Sequence, residues 1–106
     1  MVTGAGGAIG AELCRQVAGL APASLVLLDR SENGLFAVAN ELAAAGKTFV
    51  APVIGDVTEV GQMNRLFAEY RPTLVFHAAA HKHVPLMEGN PCEAVLNNVG
   101  GTRIVA

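Results

Sequence analysis

Three features of the 106-residue chain predict an α/β fold in which a parallel sheet carries helices on both faces. Short apolar runs alternate with amphipathic stretches of about 10–15 residues, the pattern of strands joined by helical crossovers. The run Leu25-Val26-Leu27-Leu28 is apolar without alternation, as a strand buried on both faces requires. A glycine-rich turn from Gly4 to Gly10 leads straight into an amphipathic stretch. Hydrophobic residues make up 52% of the chain and charged residues only 15%, too apolar a balance for a disordered segment. The length suits one compact unit over residues 1–106.

Each element follows in turn. Met1–Thr3 reads as the end of a first strand. Ile9 to about Leu20 reads as a helix, because Ile9, Leu13, Val17 and Leu20 recur at spacings of three and four and share one face. Leu25–Leu28, closed by Asp29, is the second strand. Leu35–Ala45 is the second helix, with Leu35, Val38, Ala39 and Leu42 inward and Gly46 ending it. Phe49–Ile54 is the third strand, although Pro52 lacks the N–H that a central ladder uses. Glu59–Tyr70 is the third helix, with Met63, Leu66, Phe67 and Tyr70 on one face. Leu74-Val75-Phe76 is the fourth strand, and His77 closes it as a buried strand. A loop follows, and a last helix starts near Pro91, a residue suited to a first turn. Right-handed βαβ units of this kind build a doubly wound, Rossmann-type sheet of about four strands in the order 3-2-1-4. Barely three residues precede the glycine turn, and the last helix runs to Ala106 without a capping signal. The chain is therefore expected to be a truncated sheet, the N-terminal half of a larger protein.

The turn Thr3-Gly4-Ala5-Gly6-Gly7-Ala8-Ile9-Gly10 carries the chemistry. No Lys-Ser/Thr follows Gly10, so it is not a Walker loop, and Ile9 stands where a strict G-x-G-x-x-G would place its third glycine. Glycines 4, 7 and 10 give G-x-x-G-x-x-G instead. Missing Cβ atoms let the chain turn tightly, let backbone N–H groups approach a pyrophosphate, and let the helix pack close to the strand. Gly4, Gly6, Gly7, Ala8, Ile9 and Gly10 are therefore candidate cofactor-binding residues, although a glycine-rich connection without ligand has the same composition. Asp29 lies 19 positions after Gly10, near the spacing expected of an acid that binds adenosine ribose hydroxyls; a turn-forming Asp after a strand would look the same. Arg30 and Ser31 follow at once. Asp29 repels a 2′-phosphate and favours NAD, whereas Arg30 suits a 2′-phosphate or an adenine face, so NADP stays open.

The net charge of −2 and the lack of a basic block argue against nucleic acid or an anionic membrane as partner. No apolar run approaches the ~20 residues of a membrane span, and the first residues carry no signal-peptide pattern. Cys14 and Cys92 have no metal or redox spacing, which suits a reducing, cytoplasmic setting; Cys14 reads as a small buried hydrophobe. His77, His81 and His83 would serve a metal only if all three converged with a further ligand, and loop or pocket roles are expected of them instead.

The Thr3-Gly4-x-x-Gly7-x-x-Gly10 turn resembles the cofactor loop of extended short-chain dehydrogenases/reductases. Gly55-Asp56-Val57 resembles that family's adenine-side motif, and Phe76-His77-Ala78-Ala79-Ala80 its fourth-strand motif. Longer runs, among them His77-Ala78-Ala79-Ala80-His81-Lys82-His83-Val84-Pro85-Leu86-Met87-Glu88 and Asn97-Asn98-Val99-x-Gly101-Thr102, resemble one branch over essentially the whole chain. It is the capsular-polysaccharide-biosynthesis branch of nucleotide-diphosphate-sugar 4,6-dehydratases that act on UDP-N-acetylglucosamine. The resemblance implies that Asp56, Val57, Ala78, Ala79, Ala80 and Asn98 face the cofactor and that Lys82 and His83 face a nucleotide-sugar substrate, with Lys82 reaching the sugar pyrophosphate or the cofactor; a solvated loop lysine and a helix Asn that bonds locally would look the same. It also implies redox chemistry in which sugar C4 gives a hydride to NAD(P)+, water leaves across C5–C6, and the hydride returns at C6. The Ser/Thr and Tyr-x-x-x-Lys residues of that chemistry have no match here: Tyr70, the only Tyr, is followed by Arg71-Pro72-Thr73-Leu74. No catalytic residue is assigned, the chain alone is expected to turn nothing over, and a membrane anchor upstream is compatible with the branch. A nucleotide-sugar 4-epimerase, or a non-catalytic NAD(P)-binding module, would share these residues. An open sheet with apolar surface also leads us to expect a homo-oligomer.

Overall fold

The computed structural model describes all 106 residues. The chain runs β1 (Val2–Thr3), α1 (Ala8–Gly19), β2 (Leu25–Asp29), α2 (Glu32–Ala44), β3 (Val50–Ile54), α3 (Val60–Tyr70), β4 (Phe76–His77), α4 (Val84–Gly89) and α5 (Pro91–Ala94). A π-helical segment (Val95–Gly101) and α6 (Thr102–Val105) continue α5. All four strands are parallel, in the order β3-β2-β1-β4, so the predicted doubly wound sheet is present. Val2 and Thr3 pair with Leu27 and Leu28 on one side and with Phe76 and His77 on the other.

β2 explains its own sequence. Leu25 and Leu27 join Val2, Cys14, Ala18, Leu35, Val38 and Leu42 in a core against α1 and α2. Val26 and Leu28 point the other way, into a second core with Met1, Val57, Met63 and Leu66. Successive side chains alternate between faces, so a strand covered on both must be apolar throughout. Each such leucine, taken from water, contributes about 1.5–3 kcal/mol. Pro52 is tolerated because β3 lies at the sheet edge, where no further strand needs its missing N–H.

Four expectations need correction. The buried face of α1 is Gly10, Cys14 and Ala18, with Leu13 and Val17 half-buried and packed against the same core, while Ile9 is 66% and Leu20 82% exposed. Small residues were needed there because the helix runs close to β1: a Cβ on Gly10 would collide with the Gly4 carbonyl. α2 starts three residues earlier than predicted, because Ser31 caps it by accepting the Gly34 N–H at 3.4 Å. β4 is an edge strand that leaves Phe76 38% exposed, and Leu74 before it is 69% exposed, so the run is not buried on both faces. The loop expected before Pro91 contains a helix, α4, with a proline in its first turn as its signal. The predicted third helix stands, with Met63 and Leu66 buried and Arg71 in the left-handed region closing it. No helix is long and apolar enough to cross a membrane.

Candidate functional site

The carboxyl ends of all four strands meet where the strand order reverses between β1 and β4. A parallel sheet opens a crevice at that place. There a cavity of about 150 Å³ is lined by Gly4 and Gly7 after β1, by Leu28, Asp29 and Arg30 at the end of β2, and by Gly55, Asp56 and Val57 after β3. Ala78, Ala79, Ala80 and His81 after β4, with Asn97 of the π-helical segment, complete the wall.

The glycine turn is shaped by backbone contact. Gly4 has φ +69°, and a Cβ there would lie 2.6 Å from the Ala78 carbonyl carbon. Both the left-handed conformation and the closeness of β4 therefore demand glycine. Gly6 packs on the start of α2, where its Cβ would lie 2.8 Å from Gly34. Gly7 is the N-cap of α1 and offers no side chain to cap the helix, and the first-turn N–H groups of Ala8, Ile9 and Gly10 find no backbone acceptor. Unpaired N–H groups at the positive end of a 12-residue helix suit an anion such as a pyrophosphate.

Asp29 is braced from both sides. Its Oδ2 accepts the Gly6 N–H and its Oδ1 the Ser31 N–H, each at 2.8 Å. The carboxylate thus ties the glycine turn to the start of α2 and still faces the cavity. Asp56 is held similarly: its Oδ1 accepts the backbone N–H of Thr58 at 2.9 Å and the Thr58 hydroxyl at 2.8 Å. Burial opposes its ionisation, but the Thr58 bonds and the Arg30 guanidinium outweigh burial and hold the carboxyl below its usual range.

Arg30 reaches over the cavity. It lies 3.5 Å from Asp56 Oδ2, 4.0 Å from Glu93 Oε1 and 2.9 Å from His81 Nε2. Glu93 also lies 3.3 Å from His81 Nε2. One ring nitrogen cannot serve both: with a lone pair it accepts from Arg30, and with a proton it donates to Glu93.

The other candidates divide. Gly4, Gly7, Asp29, Arg30, Asp56, Val57, Ala78, Ala79 and Ala80 line the cavity together. Gly6, Ala8, Ile9 and Gly10 shape or continue the turn beneath it, and Ser31 caps α2. Asn98 lies outside the lining: its Oδ1 accepts the His81 N–H at 2.8 Å and its Nδ2 donates to the His81 carbonyl at 2.9 Å, which clamps the loop backbone. Lys82 and His83 are exposed on the loop and not in the lining, and His83 is the N-cap of α4. The three histidines have separate partners: His77 meets two threonines, His81 meets Arg30 and Glu93, and His83 stands at α4.

Leu28 and Asn97 line the cavity with no site role expected of them from the sequence, and Gly55 and His81 join them, the first from the adenine-side motif and the second as a pocket histidine. Gly55 had a signal, standing directly before Asp56. Asn97 is only 5% exposed and donates to the Ala79 carbonyl at 3.3 Å; its signal was a second amide beside Asn98.

Comparison with known proteins fits this geometry. The family model described as polysaccharide biosynthesis protein matches residues 1–106. The chain is 46% identical over 108 residues to the capsular polysaccharide biosynthesis protein CapD of Staphylococcus aureus, covering 100% of this chain and 18% of that protein. It is 35% identical over 85 residues to the UDP-N-acetylglucosamine 4,6-dehydratase (inverting) of Campylobacter jejuni, covering 79% of this chain and 25% of that protein. Among solved structures, the UDP-glucose 4-epimerase of Bifidobacterium longum in complex with NAD+ and UDP superposes with a TM-score of 0.84 at 28% identity, over 98% of this chain and 31% of that one. The chain thus spans about a fifth of the length of its capsular relative. It belongs to the polysaccharide biosynthesis protein family, with the Rossmann-type fold of the extended short-chain dehydrogenases/reductases.

Proposed function

We propose that this member of the polysaccharide biosynthesis family is the NAD(P)-holding unit, over residues 1–106, of a larger enzyme acting on a nucleotide-linked sugar. The observation that carries the reading is the cavity at the carboxyl edge of the sheet: it joins a helix N-terminus with free N–H groups to a braced carboxylate, Asp29. These are the two features a dinucleotide needs, one for its pyrophosphate and one for its ribose hydroxyls. Gly4 and Gly7 line this cavity without side chains, which leaves room for the backbone approach such a ligand requires. The NAD-bound epimerase with the same fold supports the cofactor class.

In this reading the N–H groups of Ala8, Ile9 and Gly10 face the pyrophosphate, and Asp29 takes the adenosine ribose hydroxyls. Asp56 and Val57 border the adenine side, and Ala78, Ala79 and Ala80 give the dinucleotide room beside β4. A bound nicotinamide would supply hydride acceptance and return, while the protein supplies position and electrostatics. NAD is favoured over NADP, because Asp29 repels a 2′-phosphate and Arg30 is engaged by Asp56, Glu93 and His81.

For the whole protein, we favour 4,6-dehydration of UDP-N-acetylglucosamine, supported by the likeness to the Campylobacter dehydratase. A 4-epimerase is the second reading, favoured by the likeness to the Bifidobacterium structure. Lys82 and His83, exposed beside the cavity mouth, are the residues we propose for contact with the sugar nucleotide. Two free cysteines support a reducing, cytoplasmic setting.

Calorimetric titration with NAD+ and NADP+ tests the cofactor reading. Binding of NAD+, weakened about tenfold in Asp29→Asn by loss of a charge-assisted hydrogen bond, is the expected result. No heat and no thermal shift with either dinucleotide would overturn it. The chain alone is expected to leave UDP-N-acetylglucosamine unconverted.

A further inference from the structure

One histidine near the cavity is explained neither by its lining nor by its surface. His77 closes β4 with Nδ1 2.6 Å from Thr3 Oγ1 and Nε2 3.0 Å from Thr102 Oγ1. Thr102 Oγ1 also lies 2.6 Å from the Asn98 carbonyl oxygen.

The proton order follows from these partners. A hydroxyl has one hydrogen, and the Asn98 carbonyl can only accept, so the Thr102 hydrogen goes there. Thr102 Oγ1 then accepts from His77, which places the ring proton on Nε2. Nδ1 is left with its lone pair and accepts the Thr3 hydroxyl hydrogen. The result is a one-way chain from Thr3 through His77 and Thr102 to Asn98.

That chain ends on the residues that hold the cavity wall. Asn98 clamps the backbone N–H and carbonyl of His81, and Asn97 donates to the Ala79 carbonyl. Both asparagines lie in the π-helical segment, and Gly101 at its end brings it against Val57, since a Cβ there would lie 2.8 Å from Val57 Cγ2. The segment therefore braces the wall after β4 and touches the wall after β3. π-turns of this kind recur at functional sites.

We propose that His77, as the neutral Nε2–H tautomer, is a positioning residue for the dinucleotide: it ties β1 and β4 to α6 and so fixes the loop from Ala79 to His81 against the cavity. The proposal rests on the dinucleotide reading above. The groups that face the ring are hydroxyls from both sides, Thr3 of β1 and Thr102 of α6, with no charged side chain bonded to it. Burial alone pushes its pKa below the ordinary histidine value, in keeping with a neutral ring. A proton on Nδ1 would point at the Thr3 hydroxyl, and Thr3 is fully buried, so its hydrogen would have to turn away from its acceptor.

The test is NAD+ titration of the 106-residue chain at about pH 8 and about pH 5.5, on either side of the histidine range. His77→Phe keeps a ring and removes both nitrogens. Thr102→Val removes only a hydroxyl on an exposed helix residue, so it leaves a folded protein even if the first variant does not. The parent is expected to bind more weakly at the lower pH, and each variant about fivefold more weakly than the parent at the higher pH, as for one lost hydrogen bond. His77→Phe is expected to show a weaker pH dependence than the parent, since His81, which faces Arg30 and Glu93 in the cavity wall, is the same in both, and the double variant to be no weaker than either single one, because His77 and Thr102 act in one chain. Long-range proton–nitrogen NMR should place the ring proton of the unliganded parent on Nε2.

Variants that bind like the parent, effects that add, or a ring proton on Nδ1 would each overturn the role of His77 and leave the dinucleotide reading standing. A parent that binds neither NAD+ nor NADP+ at either pH would overturn the dinucleotide reading and this proposal with it.

Discussion

Replacing Gly34 by alanine sets helix propensity against packing, and the two predict opposite signs. Gly34 is the third residue of α2. In an unconstrained helix, Gly→Ala stabilises by up to about 1 kcal/mol. Here the new Cβ would lie 2.7 Å from the Gly6 carbonyl oxygen and 3.0 Å from Gly6 Cα. Non-bonded heavy atoms rest near about 3.5 Å, and both obstacles are backbone with no rotamer to yield. Overpacking of this kind costs about 1–3 kcal/mol, so the net change is a loss of about 1 kcal/mol after the helical gain. That corresponds to a melting temperature lower by roughly 5 °C in a domain of this size. NAD+ affinity should fall as well, because pushing Gly6 away strains its bond to Asp29. Gly100→Ala is the control. Its Cβ would meet nothing nearer than 3.9 Å, so the same substitution should raise the melting temperature by a few degrees. Thermal denaturation followed by circular dichroism reads both. A Gly34→Ala chain that melts at or above the parent would refute the steric reasoning.

Thiol labelling should separate the cysteines: iodoacetamide should modify exposed Cys92 in the folded chain and reach Cys14 only on unfolding, since burial pushes the Cys14 thiol up to about 11. Equal labelling rates would contradict the packing of α1. Asp56, whose folded pKa is depressed, should stabilise the chain above its unfolded value of 3.8 and lose that contribution as pH falls through the folded value. The parent's melting temperature should therefore fall more steeply than that of Asp56→Asn between about pH 4 and pH 2; parallel curves would refute this. Exposed Leu86, Val95, Leu96 and Val99 lead us to expect self-association, and light scattering that reports a monomer at all concentrations would count against it.

Much of this was legible in the order of residues. An unbroken Leu25–Leu28 run belongs to a strand covered on both faces, whatever the rest of the chain does, because alternate side chains must both find apolar surroundings. Strand, glycine turn, helix and a second strand ended by Asp29 name the sheet edge at which a ligand would sit. Local chemistry decides these features, so local sequence reveals them. The face of α1 is only half legible, for the opposite reason. Ile9, Leu13, Val17 and Leu20 form a regular apolar stripe, of which Leu13 and Val17 border the core, but the distance between helix and sheet chose Gly10, Cys14 and Ala18 for the closest contact. Hydrophobic periodicity reports which residues are apolar and says nothing of how closely two backbones approach.

The site shows the same division. The turn from Gly4 to Gly10, Asp29 and Asp56 follow from spacing and from resemblance to a family. That Asp29 braces Gly6, that Arg30 reaches Asp56, Glu93 and His81, and that His77 joins Thr3 to Thr102 depend on contacts between residues 23 to 74 positions apart. By itself the sequence determined the sheet, its strand order and the edge that holds the cavity, because propensity, burial and chain connectivity act along the chain. Only the tertiary structure decided which side chains meet across that edge, because a hydrogen bond depends on distance and direction in space, and neither is written in the spacing of residues along the chain.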